Sequence, residues 1–282
     1  MKKIAIQGGL GAYHEIAARD YFEGEELEIV PCLTFRDIFA EAKKNPSLIG
    51  VMAIENTIAG GLLQNHDLLK MNDLQIAGEY KLRISHSLAV LPGQSPEDIR
   101  EVMSHPMALM QCEEYLDTLP DIKIVEHEDT ALAAKEIRDR GLKGTAAICS
   151  SLAAEIYGLE VLASEIETNK RNFTRFLILA QGDTLRELQK NNHISKSSLV
   201  FVLPHKEGSL SQVLSVLSFY GINLTRIQSL PIVGREWEYQ FYIDLTFADY
   251  DRYRQSIDAI MPLISDLKIL GEYRKGKQTI EE

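Results

Sequence analysis

The first 180 residues alternate short apolar runs with amphipathic stretches. Short apolar runs are typical of strands buried in a sheet, and amphipathic stretches between them are typical of helices that cover it. This alternation predicts strand–helix repeats around a largely parallel sheet. The predicted strands of this region are Lys3–Ile6, Leu48–Ile54, Ile99–Met103, Thr145–Cys149 and Thr174–Leu179.

Small or polar residues follow four of these strands and precede a predicted helix. In open α/β sheets, ligands bind beyond the carboxyl ends of strands, where helix N-termini and unpaired N–H groups converge. We therefore expect the site at four junctions, namely Gly8–Gly11, Glu55–Thr57, Ser104–Pro106 and Ser150–Ser151.

The segment 182–196 is polar and has no apolar run longer than one residue, which predicts a linker with about one helical turn. Beyond it the predicted order is strand, helix, strand, strand, helix, strand, the order of a ferredoxin-like βαββαβ unit. Its predicted elements are Ser198–Leu203, Gly208–Tyr220, Ile222–Val233, Glu238–Phe247, Tyr250–Ile264 and Leu267–Tyr273.

Composition and charge exclude several classes of protein. The chain has 282 residues, 45% hydrophobic and 25% charged, as in ordinary globular proteins. Its net charge of -11 has the wrong sign for a nucleic-acid-binding protein. No window reaches the roughly 18 apolar residues of a membrane span, and the three distant cysteines form no metal or disulfide pattern. We expect a cytoplasmic protein without nucleic acid, membrane or metal partners.

Two polar residues follow the buried-looking run Leu48–Ile54. A partly desolvated Glu55 carboxyl would have a raised pKa and could serve as a protonated donor. Alternatively, Glu55 caps a neighbouring N–H group or pairs with an arginine. Asn56 offers both donors and an acceptor, so it would hold substrate or loop backbone.

Ser104-His105-Pro106 predicts a helix start, because proline is favoured at the first helical position and Ser104 or His105 can cap it. Exposed N–H groups at such a start suit a carboxylate. Histidine side chains in general titrate near neutrality, so His105 is a candidate acid. A histidine before a proline at a helix entry nevertheless favours a structural role.

An ordered set of motifs resembles the prephenate dehydratases, and the segment carrying Gly221-Ile222-Asn223-Leu224-Thr225 resembles their C-terminal ACT regulatory domain. The motifs are Ile54-Glu55-Asn56-Thr57, Ser104-His105-Pro106, Gln111-Cys112 and Asn172-Phe173-Thr174-Arg175-Phe176. The resemblance implies an α/β fold with a two-lobed, periplasmic-binding-protein type II-like catalytic domain and a ferredoxin-like βαββαβ ACT domain. The domain limits would be 1–181 for the catalytic domain, 182–196 for the linker, 197–275 for the ACT domain and 276–282 for a tail.

The implied reaction is the decarboxylating dehydration of prephenate to phenylpyruvate in L-phenylalanine biosynthesis, without a cofactor. Losing one carboxylate with the ring hydroxyl makes the ring aromatic, so the enzyme need supply neither nucleophile nor metal. It needs a donor at the departing hydroxyl and donors for the remaining carboxylate. The alternatives are an arogenate dehydratase and a two-lobed binding protein without turnover.

The resemblance makes Thr174 the donor to the departing hydroxyl, with Glu55 and Asn56 as the other catalytic candidates. Gly8–Gly11 resembles a phosphate cradle but lacks the spacing of a nucleotide site. Ala12 stands where the family usually has a hydroxyl residue, and His14 could replace that hydroxyl. The substrate-binding candidates are Ser104, Gln111, Arg175, Thr57 and Phe176.

Strand geometry constrains this set. In a regular strand Thr174 and Phe176 share one face and Arg175 lies on the other, so Thr174 and Arg175 cannot both meet the ligand by simple extension. A bent strand, an Arg175 side chain that reaches round it, or an acidic neighbour that pairs with Arg175 would each resolve the conflict. Lys170 and Arg171 could add local positive charge for a dianion.

The ACT resemblance implies an L-phenylalanine site and a homodimer or homotetramer formed through this domain. Where the family has Glu-Ser-Arg-Pro, this chain has Gln228-Ser229-Leu230-Pro231, so weaker inhibition or another ligand preference is open. A domain used only for assembly is the alternative. The implied ligand-binding residues are Gly208, Ser209, Leu210, Asn223, Leu224, Gln228 and Ser229.

Overall fold

The computed structural model describes residues 1–190, 192–232, 234–235 and 238–276. Its strands are β1 (Lys2–Gln7), β2 (Leu27–Cys32), β3 (Ile49–Asn56), β4 (Gly60–Gly61), β5 (Gln75–Arg83), β6 (Ser87–Val90), β7 (Glu101–Ser104), β8 (Lys123–Glu126), β9 (Thr145–Cys149), β10 (Glu160–Ser164), β11 (Phe173–Ala180), β12 (Lys196–Val202), β13 (Asn223–Pro231), β14 (Tyr239–Thr246) and β15 (Ser265–Tyr273).

The helices connect these strands in chain order. They are α1 (Tyr13–Tyr21), α2 (Phe35–Lys44), α3 (Leu63–Met71), α4 (Pro106–Gln111), α5 (Glu113–Leu116), α6 (Thr130–Arg140), α7 (Ser151–Ile156), α8 (Gly182–Gln189), α9 (Ser209–Phe219) and α10 (Tyr250–Ile260), with 3-10 turns at Pro96–Asp98 and Met261–Leu263. Within the described part of the chain, no helix is long and apolar enough to cross a membrane.

The strands form three sheets. The first has the order β2-β1-β3-β11-β5, with β4 paired to β3, and the second has the order β10-β6-β9-β7-β8. The third, β13-β14-β12-β15, is antiparallel and has the strand order of a ferredoxin-like unit. The predicted fold class is therefore confirmed, with two α/β sheets in the catalytic region and a βαββαβ unit after them.

The core of the third sheet shows why its elements form. Apolar side chains recur every second residue on its central strands and every fourth residue on its two helices, so each element presents one apolar face. These buried residues are Leu199 and Phe201 of β12, Ile243 and Leu245 of β14, Val213 and Leu217 of α9, and Tyr253 and Ile257 of α10.

By packing, the described chain divides into two compact units. One comprises 1–62 and 80–176, and the other comprises 63–79 and 177–276. This division differs from the predicted domain limits, which remain a prediction. The predicted linker contains the eight-residue helix α8, more than the single turn expected. Of the predicted tail, only Gly276 is described, and the last residue of the predicted strand Ile222–Val233 also lies outside the described residues.

Two local expectations about element ends need correction. Strand β3 continues through Glu55 and Asn56, because Gly61 and Gly60 of β4 pair with them. These two motif residues therefore lie within the strand rather than after it. Strand β7 likewise ends at Ser104, so this motif residue is the last residue of the strand and not the first residue after it.

Candidate active site

Adjacent strands bring Thr174 and Asn56 into contact. Asn56 ends β3, Thr174 is the second residue of β11, and these strands are neighbours in the first sheet. Asn56 Nδ2 donates to Thr174 Oγ1 at 2.9 Å. Because the Thr174 oxygen accepts this bond, its single hydroxyl hydrogen can donate to another group. The predicted donor and one of its predicted partners therefore meet.

Asn56 is held in one orientation by the turn that follows it. Its Oδ1 accepts from the backbone N–H groups of Ile58 at 2.9 Å and Ala59 at 2.8 Å. Asparagine side chains commonly bond to backbone a few residues ahead in this way. A backbone N–H can only donate, so the oxygen must face the turn and Nδ2 must face Thr174.

A chain of amides extends from Asn56 toward the second sheet. Asn56 Nδ2 also donates to Asn172 Oδ1 at 2.7 Å, and Asn172 Nδ2 donates to Gln111 Oε1 at 2.9 Å. His86 Nε2 lies 3.0 Å from the same Gln111 oxygen. The Gln111 Nε2 group makes no hydrogen bond to any described residue, so it is available to a ligand.

Glu55 and Arg175 form a second pair next to the first. Arg175 Nη1 lies 3.6 Å from Glu55 Oε1, and the Arg175 side chain is only 4% exposed. Since successive strand residues point to opposite faces, this pair lies on the face opposite to Asn56 and Thr174. Of the three arrangements considered for Arg175, the structure has the one in which an acidic neighbour pairs with it. A donor role for Glu55 and substrate binding by Arg175 remain predictions.

Ser104 and His105 are placed by the start of α4. The Ser104 hydroxyl is buried and donates to the Ile148 carbonyl at 2.6 Å, which ties β7 to β9. His105 is the N-cap of α4, and its Nδ1 accepts from Met107 N–H at 3.2 Å. The structural interpretation of His105 is therefore confirmed. Substrate contact by Ser104 remains a prediction, and the hydroxyl hydrogen that would make it is used inside the protein.

Thr57 positions the beginning of β11. Its hydroxyl donates to the Arg171 carbonyl at 3.1 Å and accepts from Phe173 N–H at 2.9 Å. A backbone bond from Thr57 N–H to the Phe173 carbonyl, also 2.9 Å, lies beside them. Thr57 thus fixes the residue that precedes Thr174, and its predicted substrate contact is not tested.

Phe176 packs against His14 in the interior. Phe176 is 1% exposed, and the two ring centroids are 4.9 Å apart in an edge-on arrangement. Burial lowers the pKa of His14 to about 3, so the ring is neutral, and its Nε2 accepts from Ala53 N–H. The Nε2 of His14 is therefore committed to the backbone of β3, and its hydrogen lies on Nδ1, so replacement of the hydroxyl absent at Ala12 by His14 remains a prediction. Substrate contact by Phe176 remains a prediction.

The glycine-rich loop Gly8–Gly11 packs against and bonds to other parts of the protein. Gly11 has φ +83°, and a Cβ there would lie 2.4 Å from the Cα of Ala153. Its N–H donates to Glu15 Oε2 at 2.7 Å, and its carbonyl accepts from Ser150 Oγ at 2.6 Å. Two of the predicted junctions therefore meet each other here, and the loop serves as a packing element.

The basic side chains near Thr174 differ in whether a carboxylate compensates their charge. Lys170 Nζ donates to the Glu165 carbonyl, and Arg175 is paired with Glu55. The Arg171 side chain is exposed and makes no hydrogen bond or ion pair to a described residue. A backbone carbonyl does not neutralise an ammonium group, so Lys170 and Arg171 both keep positive charge for an anionic ligand, whereas the Arg175 charge is compensated by Glu55.

Buried thiols and hydroxyls near the site are not activated nucleophiles. Burial raises the pKa of Cys112 and of Cys149 to about 12, so both remain thiols at neutral pH. The Ser104 and Ser150 hydroxyls donate to backbone carbonyls rather than to a base. The arrangement around Thr174 is thus suited to hydrogen-bond donation rather than to covalent catalysis.

The predicted regulatory residues lie on two elements of the ferredoxin-like unit. Gly208, with φ +78°, precedes α9, and Ser209 Oγ donates to the Lys206 carbonyl. Asn223 opens the edge strand β13 and donates to Thr246 Oγ1 at 3.3 Å. The other four lie on these same two elements, and ligand binding by this group is not tested. They are Leu210 of α9, and Leu224, Gln228 and Ser229 of β13.

Some residues of the site were missed from the sequence. Asn172 belongs to the motif that contains Thr174 but has no predicted role, and neither Tyr13 nor His86 is among the predicted site residues. Tyr13 follows the glycine-rich loop, and His86 lies between two serines, so neither carries a local pattern that signals function. His86 lies between β5 and β6, neither of which is among the strands predicted from the sequence, so the sequence does not mark this position as a junction.

Comparison with known proteins identifies the family. A chloroplastic arogenate dehydratase/prephenate dehydratase of Arabidopsis thaliana is 36% identical over 96% of this chain and 72% of its own length. A solved structure of GqqA, titled a novel type of quorum quenching acylase, is 31% identical with a TM-score of 0.86, covering 97% of this chain and 98% of that one. The prephenate dehydratase of Arthrobacter aurescens, solved in complex with L-Phe, is 26% identical with a TM-score of 0.85, covering 97% of this chain and 90% of that one. The family model described as prephenate dehydratase matches residues 4–184, and the chain therefore belongs to the prephenate dehydratase family of lyases.

Proposed function

We propose that the chain converts prephenate to phenylpyruvate, carbon dioxide and water. The observation that carries this proposal is the free hydroxyl hydrogen of Thr174, which results from the bond that Asn56 donates to Thr174 Oγ1. A donor fixed before the substrate arrives needs no reorganisation when charge develops on the departing oxygen.

The reaction requires little from the protein beyond positioned donors. The bond between the ring and the departing carboxylate breaks, its electron pair enters the ring, and the carbon–oxygen bond to the ring hydroxyl breaks. The departing oxygen takes up a proton from solvent and leaves as water. Thr174 polarises this oxygen by hydrogen bonding, because an alcohol titrates too far above neutral pH to release its proton outright.

The second candidate is arogenate, favoured by the name of the Arabidopsis relative. Arogenate carries an ammonium group where prephenate has a keto group, and an ammonium group requires an acceptor. The carboxylates of Glu55 and Glu167 already face the guanidinium groups of Arg175 and Arg83, which reduces their attraction for an ammonium group. This supports the keto substrate.

Parallel turnover assays test the choice of substrate. Purified protein is incubated separately with prephenate and with arogenate, and phenylpyruvate and phenylalanine are measured. We expect kcat/KM for prephenate to be at least about tenfold higher. A higher value for arogenate would assign the second activity, and binding of both compounds without turnover would contradict the enzymatic proposal.

L-Phenylalanine is the proposed regulatory ligand of the βαββαβ unit, here taken as the ACT domain at 197–275. The solved relative with L-Phe bound supports it. A homodimer or homotetramer through β13, which has a neighbour on one side only in its sheet, is part of the proposal. Calorimetry and sedimentation test it. With L-phenylalanine we expect heat of binding and reduced turnover, and sedimentation should show a dimer or a tetramer. The absence of both heat and inhibition would contradict the proposed ligand, and a monomer would contradict the proposed assembly.

The proposed location is the cytoplasm. The described chain has three free cysteines, Cys32, Cys112 and Cys149, all buried. Unpaired thiols are usual in reducing compartments. Fractionation of source cells tests this location: activity found outside the cytoplasmic fraction would contradict it.

A further inference from the structure

The side-chain nitrogen of Gln111 has no hydrogen-bond partner among the described residues, although the residue is largely buried. Gln111 is 8% exposed, and its Oε1 accepts from Asn172 Nδ2 at 2.9 Å. Buried polar atoms in proteins nearly always have a partner, so a largely buried amide nitrogen without one is a group that a ligand can complete. The question is which kind of ligand group can do so.

The direction of the amide bonds is fixed at the first member of the chain. Asn56 Oδ1 accepts from two backbone N–H groups, so Asn56 Nδ2 carries the hydrogens that face Asn172. The Asn172 atom 2.7 Å from this nitrogen must then be its oxygen. Asn172 is fully buried, and its nitrogen is thereby turned toward Gln111.

Asn172 in turn fixes the orientation of Gln111. Asn172 Nδ2 can only donate, so the Gln111 atom 2.9 Å from it must be the oxygen. Rotating the Gln111 amide by half a turn would place two N–H donors against each other and would leave the Asn172 hydrogens without an acceptor. Gln111 Nε2, which carries two hydrogens, therefore points away from Asn172.

A nitrogen that can only donate selects an acceptor. Gln111 Nε2 can bond a keto or carboxylate oxygen, whereas an ammonium group has three donors and no lone pair. Prephenate and arogenate differ at one group, which is a keto group in prephenate and an ammonium group in arogenate. A site built around a polar group rejects a ligand that leaves this group unpaired. The orientation of Gln111 therefore favours the keto compound.

The positive charges next to Asn172 act in the same direction. Lys170 and Arg171 precede it in the chain; Lys170 Nζ donates to the Glu165 carbonyl, and the Arg171 side chain is exposed. Both charges attract a dianion more than a ligand that carries an ammonium group. Salt screens this attraction, but it does not change the direction in which an amide points.

We propose that Asn172 is a positioning residue that determines substrate specificity. It holds Gln111 with its nitrogen toward the ligand, so that the site takes a keto acid rather than an amino acid. The orientation begins at the turn after Asn56 and passes outward, so it is present before the ligand binds. The inference rests on the proposed function for the identity of the ligand, but not for the direction of the Gln111 amide.

Asn172→Asp tests the proposal by reversing this direction. One carboxylate oxygen still accepts from Asn56, and the other becomes an acceptor that faces Gln111, so the Gln111 amide should rotate and present its oxygen to the ligand. The dissociation constant of arogenate divided by that of prephenate should then fall at least about tenfold. Calorimetry measures both constants in a Thr174→Val background, in which turnover should be slow.

Two further variants separate the direction of the bond from the added charge. Gln111→Met removes the amide without adding charge and should lower the same ratio about tenfold by weakening prephenate binding. Asn169→Asp is the matched control, because aspartate keeps the oxygen that accepts from Arg171 N–H at 2.9 Å and adds the same charge to the same segment. Its ratio should stay within about threefold of the Thr174→Val parent. Binding elsewhere on the chain is common to all variants and does not affect the comparison.

The outcomes distinguish the inference from the proposed function. Folded Asn172→Asp and Gln111→Met variants with an unchanged ratio would overturn the inference even if the wild type dehydrates prephenate. Equal weakening of both compounds would also overturn it, because Gln111 would then meet a carboxylate that they share. If Asn172→Asp does not fold, Gln111→Met alone decides. A wild type that binds both compounds without turnover would contradict the proposed function, and the ratios would still test Asn172.

Discussion

Two polar networks in this chain differ in charge and in whether all their hydrogen-bond donors are used within the described protein. The first runs from Thr174 to His86 through neutral amides and ends on a hydroxyl hydrogen that no described protein group uses. The second contains the ion pair of Lys196 and Glu79, whose side chains are 6% and 1% exposed. Lys196 Nζ donates to both Glu79 oxygens, at 3.0 and 2.8 Å, and Gly276 N–H donates to one of them.

The difference separates the network that we propose takes part in the reaction from one that stabilises the fold. A buried ion pair is costly to break because the remaining charge is left without a partner. A neutral network with one unused donor adds less stability, but a ligand can complete it. We therefore expect substitutions in the Lys196 network to change stability, and substitutions in the Thr174 network to change turnover.

The largest expected effect is on the ion pair. Lys196→Met should lower the free energy of unfolding by about 3–5 kcal/mol, because it removes the buried ammonium group that donates to both Glu79 oxygens. Urea denaturation measures it. Lys135→Met is the control, since Lys135 forms an exposed pair with Asp139 and should lose about 0.5 kcal/mol or less. A loss at Lys196 as small as the control's would remove the distinction between the networks.

Thr174→Val should have the next largest effect. The substitution keeps the shape of the side chain and removes the donor, so kcat should fall about 100-fold or more, the usual cost of a lost donor at a developing charge. Thr174→Ser keeps the hydroxyl and should retain most of kcat. Thr118→Val is the control because the Thr118 hydroxyl only donates to the Tyr115 carbonyl. A valine variant that turns over within about threefold of the wild type would refute the role of Thr174.

Acid should destabilise the unit that contains Thr174 through His14. The pKa of His14 is about 3 in the folded chain, below its ordinary value of 6.5, so the unfolded chain binds more protons between these values. Above pH 6.5 the free energy of unfolding is therefore not reduced by protonation of His14. Below pH 6.5 it falls by about 1.4 kcal/mol per pH unit, or about 2 kcal/mol by pH 5. Urea denaturation at about pH 7 and pH 5 measures this loss. The difference in the free energy of unfolding between the two pH values should be smaller for His14→Gln than for the wild type. The lowered pKa of His86 adds a change of the same sign, so some pH dependence should remain.

Arg175→Lys should have the smallest effect, and it should be on stability. The lysine keeps the charge but loses the guanidinium fork facing Glu55, which we expect to cost about 1 kcal/mol. KM for prephenate should not change, because Arg175 lies on the face opposite to Thr174. A raised KM with unchanged stability would show that Arg175 binds substrate, as the family resemblance implies.

The fold could be predicted from the sequence because its determinants are local. Alternating apolar residues such as Leu199 and Phe201 mark one face of a strand, and residues four apart such as Val213 and Leu217 mark one face of a helix. The same periodicity predicted that Thr174 and Arg175 point in opposite directions, and their separate partners fit that prediction.

The parts that could not be predicted depend on partners far apart in the chain. Lys196 was assigned to a polar linker, yet it is buried because Glu79, 117 residues earlier, neutralises it. His86 has no local pattern, and its ring contacts Gln111, 25 residues later. Side-chain composition signals that such residues are polar, but only the packed structure shows which charge or amide each one meets.

Asn56→Asp tests the central claim most directly. Aspartate has the shape of asparagine and keeps an oxygen for the Ile58 and Ala59 N–H groups, but it presents an acceptor to Thr174 instead of a donor. The Thr174 hydroxyl should then donate to the introduced carboxylate rather than to the substrate, so kcat for prephenate should fall about 100-fold while the variant remains folded. A folded Asn56→Asp variant with wild-type kcat would show that the direction of this hydrogen bond does not matter, and would contradict the account.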